Sequence, residues 1–144
     1  MKLIIDADAC PGLDIITKVA KENFVKMIIY TDFNHNITND YGEVITVDQG
    51  FQSVDMYISN ITETNDVVVT QDYGLALIAL AKGAFAIHPK GTIYDNDNID
   101  KMIFERHISV MNRKRNKRFK GPKKRTKEDD LLLEENLTKL LKKK

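Results

Sequence analysis

A chain of 144 residues, 42% apolar and 30% charged, holds one domain with a real core and falls short of two full ones. No apolar run approaches the length a helix needs to cross a bilayer, and the opening Met-Lys-Leu-Ile-Ile-Asp meets an aspartate too early for a secretory signal, so a cytoplasmic protein with no membrane partner is expected. The net charge of +1 conceals a division: residues 1–100 carry 6 Lys against 15 acids, a net of −9, while residues 101–144 carry 16 Lys and Arg against 6 acids, a net of +10.

Leu3 to Ile5 is the first of five short β-branched runs and reads as a strand that runs out at Asp6. Pro11 opens a helix whose apolar positions Leu13, Ile16, Val19 and Ala20 recur at helical spacing. Cys10 stands directly before it, where a helix dipole would lower the thiol pKa, yet no histidine is spaced to serve it. A small, partly buried loop residue is the plainer reading, and a single cysteine forms no internal disulfide.

Val25 to Tyr30 is a second strand, followed by an aperiodic polar loop that contains His35. Val44 to Val47 is a third, and Val54, Tyr57, Ile58 and Ile61 mark the next helix, with Asp55 in its first turn. Val67 to Val69 leads into Thr70-Gln71-Asp72 and a helix on Leu75, Ile78 and Ala79 that stops at Gly83. Ala84 to Ile87 is the fifth strand and ends at His88-Pro89.

A turn-rich stretch follows, then a helix over Asp100 to Met111, then residues 113–127, of which 10 in 15 are basic. Thr126 is the expected N-cap of a last helix, with Glu128, Asp129 and Asp130 in its first turn. Its Leu133, Leu137, Leu140 and Leu141 share a face that must pack on the domain or on a second copy as a homodimer. Alternating strands and helices predict an α/β domain over residues 1–112, with a mostly parallel five-stranded sheet covered on both faces. Residues 113–144 form a basic segment and helix, an appendage to that domain.

Ligands of open α/β sheets bind beyond the carboxyl ends of the strands, where Asp6, Asp8 and Asp72 fall and where the helix of Asp55 begins. Two bare charges about 6 Å apart repel by roughly 3 kcal/mol at an effective dielectric near 20, which a cation reverses into attraction. Carboxylate ligands suit Mg²⁺ or Mn²⁺, and the chain has no Cys/His cluster for zinc. The structural alternatives are a capping role for Asp8 and a solvated helix position for Asp55.

Arg106, Arg113, Lys114, Arg115, Lys117, Arg118, Lys123, Lys124 and Arg125 are the candidate phosphate contacts, and Phe119 could stack on a base. The same run reads alternatively as a solvated tail, or as a strap that folds back to neutralise the acidic domain. His88 either touches a phosphate or is satisfied by backbone, and Tyr73 and Tyr94 either flank the rim or pack beneath it.

Together the pieces I-D-A-D-A-C-P, Q-G-F-Q-S-V-D, V-V-V-T-Q-D-Y-G-L-A, H-P-K-G, I-Y-D-N-D-N-I and G-P-K-K-R-T-K-E-D-D resemble the YaiI/YqxD family of uncharacterised bacterial proteins, nearly end to end. The resemblance implies a PIN-like (Rossmann-like) three-layer fold and an acidic metal pocket, with Asp6, Asp55 and Asp72 as its carboxylates. A catalytic PIN pocket usually adds an acid after the next strand. Here that place reads H-P-K-G, with Asp95 or Asp97 as substitutes.

The function expected is a divalent-metal-dependent, nuclease-like protein acting on RNA, with Mg or Mn as cofactor. A non-catalytic RNA-binding module is the alternative, and a haloacid-dehalogenase-type phosphatase using Asp6 and Asp8 with Lys82 or Lys90 ranks third.

Overall fold

The computed structural model describes residues 1–7, 10–48, 50, 53–115 and 124–143, and for residues 113–115 the backbone alone. Its elements run β1 (Lys2–Asp6), α1 (Leu13–Glu22), β2 (Lys26–Asp32), β3 (Glu43–Val47), α2 (Val54–Ile61), β4 (Val67–Val69), α3 (Tyr73–Ala81), β5 (Phe85–Ile87), α4 (Asn96–Arg115) and α5 (Lys127–Leu141). The five strands lie in the order β3-β2-β1-β4-β5 and every pair is parallel, so the expected α/β architecture is present with its sheet wholly parallel.

A parallel strand in the middle of such a sheet has no wet face, and the sequence provides for this. Leu3, Ile4 and Ile5 in β1 and Val67, Val68 and Val69 in β4 are all fully buried. Their alternating side chains feed two cores. Leu3, Ile5, Val67 and Val69 pack with α1 and α5, while Ile4, Ile28, Tyr30 and Val68 pack with α2, α3 and the start of α4. The result is helix, sheet, helix: three layers.

No helix joins β2 to β3 among the described residues. The connection returns over the α1 side instead, held by Asn39 Nδ2 donating to Thr17 Oγ1 at 2.9 Å and by the Lys21–Asp40 ion pair at 2.7 Å. Helix α4 begins at Asn96, earlier than the sequence signals suggested. Asp95 and Asn98 exchange backbone-to-side-chain bonds of 2.8 and 2.6 Å, a capping box built from Asp and Asn where Ser/Thr and Glu/Gln are usual.

Thr126 caps α5 as expected, with its hydroxyl accepting from the Asp129 N–H and the Asp129 carboxylate accepting from the Thr126 N–H. The leucine face of α5, left open between the domain and a second copy, packs on the domain: Leu133, Leu137, Leu140 and Leu141 are at most 2% exposed in the α1-side core. Gly91 allows the approach. At φ +98° it lies so close that a Cβ would sit 2.5 Å from the Leu133 nitrogen, and its carbonyl accepts from Asn136 Nδ2 at 2.7 Å. No helix among the described residues is long and apolar enough to cross a membrane.

Because α5 completes a core layer, Leu137→Ala should lower the unfolding free energy by about 2–5 kcal/mol in a denaturant titration, whereas exposed Leu131→Ala should stay within about 0.5 kcal/mol of the parent.

Candidate functional site

Register places the site. Ile5 of β1 lies opposite Val69 of β4, so the next residues, Asp6 and Thr70, emerge side by side on the face covered by α2, α3 and α4. The Thr70 hydroxyl donates to Asp6 Oδ2 at 2.8 Å and accepts from the Asp72 N–H at 2.9 Å. Its own N–H reaches the Ile87 carbonyl at 3.1 Å, and its carbonyl accepts from the Tyr94 hydroxyl at 3.0 Å. A fully buried threonine thus ties three strand ends together with every polar atom engaged.

Asp72 follows as N-cap of α3, its Oδ1 accepting from the Gly74 and Leu75 N–H groups at 2.8 and 3.2 Å. Asp55 lies in the first turn of α2, half-buried and starting from the same rim. Asp8 lies outside the described residues. Among the described residues no three His, Cys, Asp or Glu side chains stand together as a ready metal-binding group.

The donors on this rim, Asp6 and Asp72, offer carboxylate oxygens, which suits Mg²⁺. That ion keeps several of its waters and binds through one or two carboxylates. Asp6 and Asp72 fit that habit.

Two further groups crowd the rim. The Tyr73 ring meets Tyr94 edge-on at 5.9 Å, and the Arg106 guanidinium lies 5.8 Å from the Tyr73 centroid, so Arg106 turns toward the site. Burial pushes the Tyr94 hydroxyl well above the usual phenol range, keeping it a neutral donor to Thr70. His88 is satisfied by backbone, its Nδ1 accepting from the Lys90 N–H at 2.9 Å. Burial, then the charges of Lys90 and Arg125, lower its pKa to about 4.

Cys10 is the partly buried loop residue of the plainer reading. Burial foremost, then the Asp6 charge, pushes its thiol up to about 12, and with α1 starting only at Leu13 behind a left-handed Gly12, Cys10 lies outside the helix's first turn. A thiol so placed is a poor nucleophile.

Arg125 is committed to the fold. Its Nη1 donates to the Pro89 carbonyl and its Nε to Asp130, each at 2.6 Å, while Nη2 is buried against Gly12, where a Cβ would come within 2.6 Å. This contact is a local form of the strap reading, a C-terminal cation folded onto the acidic domain. Lys124 is exposed. Lys117, Arg118, Phe119 and Lys123, and the side chains of Arg113, Lys114 and Arg115, lie outside the described residues. Lys82, weighed for phosphatase chemistry, caps the end of α3 near the amino-terminal ends of β4 and β5, away from Asp6, its ammonium on the Ser59 carbonyl.

Sequence reasoning passed over Asp32. It ends β2 just as Asp6 ends β1, faces the same side, and accepts from the Asn34 N–H at 2.9 Å and from His35 Nδ1 at 2.7 Å, a pairing that holds its carboxyl below the usual range. The signal was present, an apolar strand running out at an acid, but the polar loop behind it masked the likeness.

Over residues 4–143 the chain matches the family model described as "Uncharacterized BCR, YaiI/YqxD family", and it belongs to that family. It is 58% identical to a "UPF0178 protein" of Clostridium perfringens, the match spanning 99% of this chain and 96% of the relative. Relatives of the same description in Clostridium novyi and Lachnoclostridium phytofermentans are 55% and 48% identical, again over 99% of this chain and 96% and 97% of theirs. No solved structure matches.

Thr70→Val keeps the shape of the side chain and removes both hydroxyl bonds. It should cost about 1–3 kcal/mol in chemical denaturation, with Thr70→Ser costing less. For His88, the unfolded chain takes up a proton near 6.5 and the folded chain only near 4, so its contribution to stability is complete above 6.5 and lost as pH falls toward 4. The difference in stability between wild type and His88→Asn should therefore change across that window and stay level above it.

Proposed function

We propose that this YaiI/YqxD-family member is a PIN-like, divalent-metal-dependent, nuclease-like protein of the cytoplasm that hydrolyses phosphodiesters in RNA at the rim bearing Asp6, Asp55 and Asp72. The observation that supports the reading is the Asp6–Thr70–Asp72 chain of hydrogen bonds, which ties the Asp6 carboxylate through the Thr70 hydroxyl to the Asp72 backbone N–H, at the carboxyl ends of adjacent strands. Asp6, Asp55 and Asp72, with Asp8 next to Asp6 in sequence, are the residues that would hold Mg²⁺ or Mn²⁺. Such an ion supplies an activated water and stabilises charge developing on the phosphate.

The chain's own groups account for the rest. Thr70 holds the Asp6 carboxylate in one rotamer, and the α3 N–H groups do the same for Asp72. Arg106, parked over Tyr73, offers a cation to an approaching phosphate. Exposed Lys124 and the basic run at 113–123 add the field that draws a polyanion toward an otherwise acidic domain.

One observation favours a second reading, a non-catalytic RNA-binding module. The position after β5 is His88-Pro89, and Asp95, a substitute for the acid expected there, is engaged with Asn98 as a helix cap.

The two readings separate in one experiment on the full chain, since truncating residues 113–144 would also remove buried leucines. Under the first, purified protein cuts single-stranded RNA with Mn²⁺, and Asp6→Asn or Asp72→Asn lowers the rate by about 100-fold or more with the circular dichroism spectrum unchanged. Undiminished cutting by the double variant ends it. Under the second, RNA is bound but never cut, and neutralising about five phosphates gives a log-log salt slope near −3.5.

A further inference from the structure

Helix α4 spans 20 residues, about 30 Å, and among the described residues its contacts with the core fall in its first half. Ile99 is fully buried and Met102 packs with it in the α3-side core, while Arg106 reaches Tyr73 from the same side of the helix. The opposite side carries Phe104, Ile108 and Met111 at 63%, 40% and 36% exposure, while Ile103 and Val110 are exposed closer to the Arg106 side. These positions are spaced four and three apart, and the spacing continues backward through Lys101 to Asp97 and forward to position 115, an arginine. Such a run has the spacing of a two-helix seam, apolar at its centre, with an acidic position at its start and an arginine in sequence at its end.

We propose that this face of α4 is an interface between two copies of the chain, with the two α4 helices packed antiparallel. The charge pattern selects both the occupant and the direction. In antiparallel register Phe104 of one copy meets Ile108 of the other, and Lys101 lays its aliphatic stem along Met111. Asp97 then faces the basic end of the partner helix. A parallel pair would set acid on acid and base on base. The antiparallel pair also opposes the two helix dipoles, and the seam is self-complementary, as a two-fold interface requires. The leucine face of α5 is occupied by its own core, so this interface is separate from it. The inference stands independently of any activity at the acidic rim, because Arg106 and the site lie on the other side of α4.

Sedimentation or light scattering of the full chain at micromolar concentration should give twice the 16.5 kDa chain mass. Phe104→Glu, and independently Met111→Glu, should return the mass to one chain with helicity unchanged, since both positions are exposed. In a Cys10→Ser background, mixing Phe104→Cys and Ile108→Cys chains should yield the crossed disulfide in preference to either like pair. A monomeric wild type, or a dimer indifferent to both glutamates, overturns the interface. Preference for the 108–108 bond overturns the antiparallel register.

Discussion

The in-register pairing of β1 with β4 is the constraint on which the rim depends. Both strands are buried on both faces, so neither can slip by one residue without turning a row of valines and isoleucines to the wrong layer. That locked register puts Asp6 beside Thr70, and the threonine hydroxyl then does what no longer side chain could in a fully buried position. It bonds a carboxylate on one strand and the backbone that starts α3 on the other. The placement of the acids is thus a by-product of core packing, and the site is as rigid as the sheet beneath it.

The C-terminal segment completes the domain physically. Arg125, Gly12, Pro89 and Gly91 meet at the start of α5, where one guanidinium bridges the loop after β5 and the first turn of the helix. Each piece explains another. Gly12 leaves room for the guanidinium, Gly91 leaves room for the α5 backbone, and Asp130 offsets the charge that burial would otherwise penalise. Four leucines then cover β1, β4 and α1. The division of the chain into a net −9 and a net +10 part is therefore crossed at this joint, with one basic residue of the second part seated against the first.

Much of this was legible in the residues. The five strands and the helices after β1, β3 and β4 were readable because parallel core strands are short, continuous and β-branched, and because their covering helices keep a clean apolar stripe. The start of α4 was not, since an Asp/Asn cap in a run of D-N-D-N reads as a turn until the reciprocal bonds are seen. Asp6 and Asp72 were found by the strand-end rule, and the same rule applied to Y-T-D would have yielded Asp32. Thr70 left no signal: a threonine inside an apolar strand is ordinary, and its importance lies wholly in a contact between residues 64 apart in sequence. For Cys10 the plainer sequence reading, a partly buried loop residue, agrees with the structure, and what the sequence does not show is the nearby Asp6 carboxylate that with burial raises its thiol pKa.

Helix α4 shows why one element can carry two unrelated constraints. A helix that packs on a sheet shows its neighbours one stripe, and here Ile99, Met102 and Arg106 consume it within the first three turns. On the outward side, away from the core, Phe104, Ile108 and Met111 recur at seam spacing, with Ile103 and Val110 exposed nearer the Arg106 side. Scattered exposed hydrophobes need no explanation, but a regular row flanked by opposite charges at its two ends does. Since the stripe facing Tyr73 and the row facing outward lie on opposite sides of a rigid rod, burying the outer row leaves Arg106 and the acidic rim open. A change in pairing would reach the site only by shifting the helix as a body.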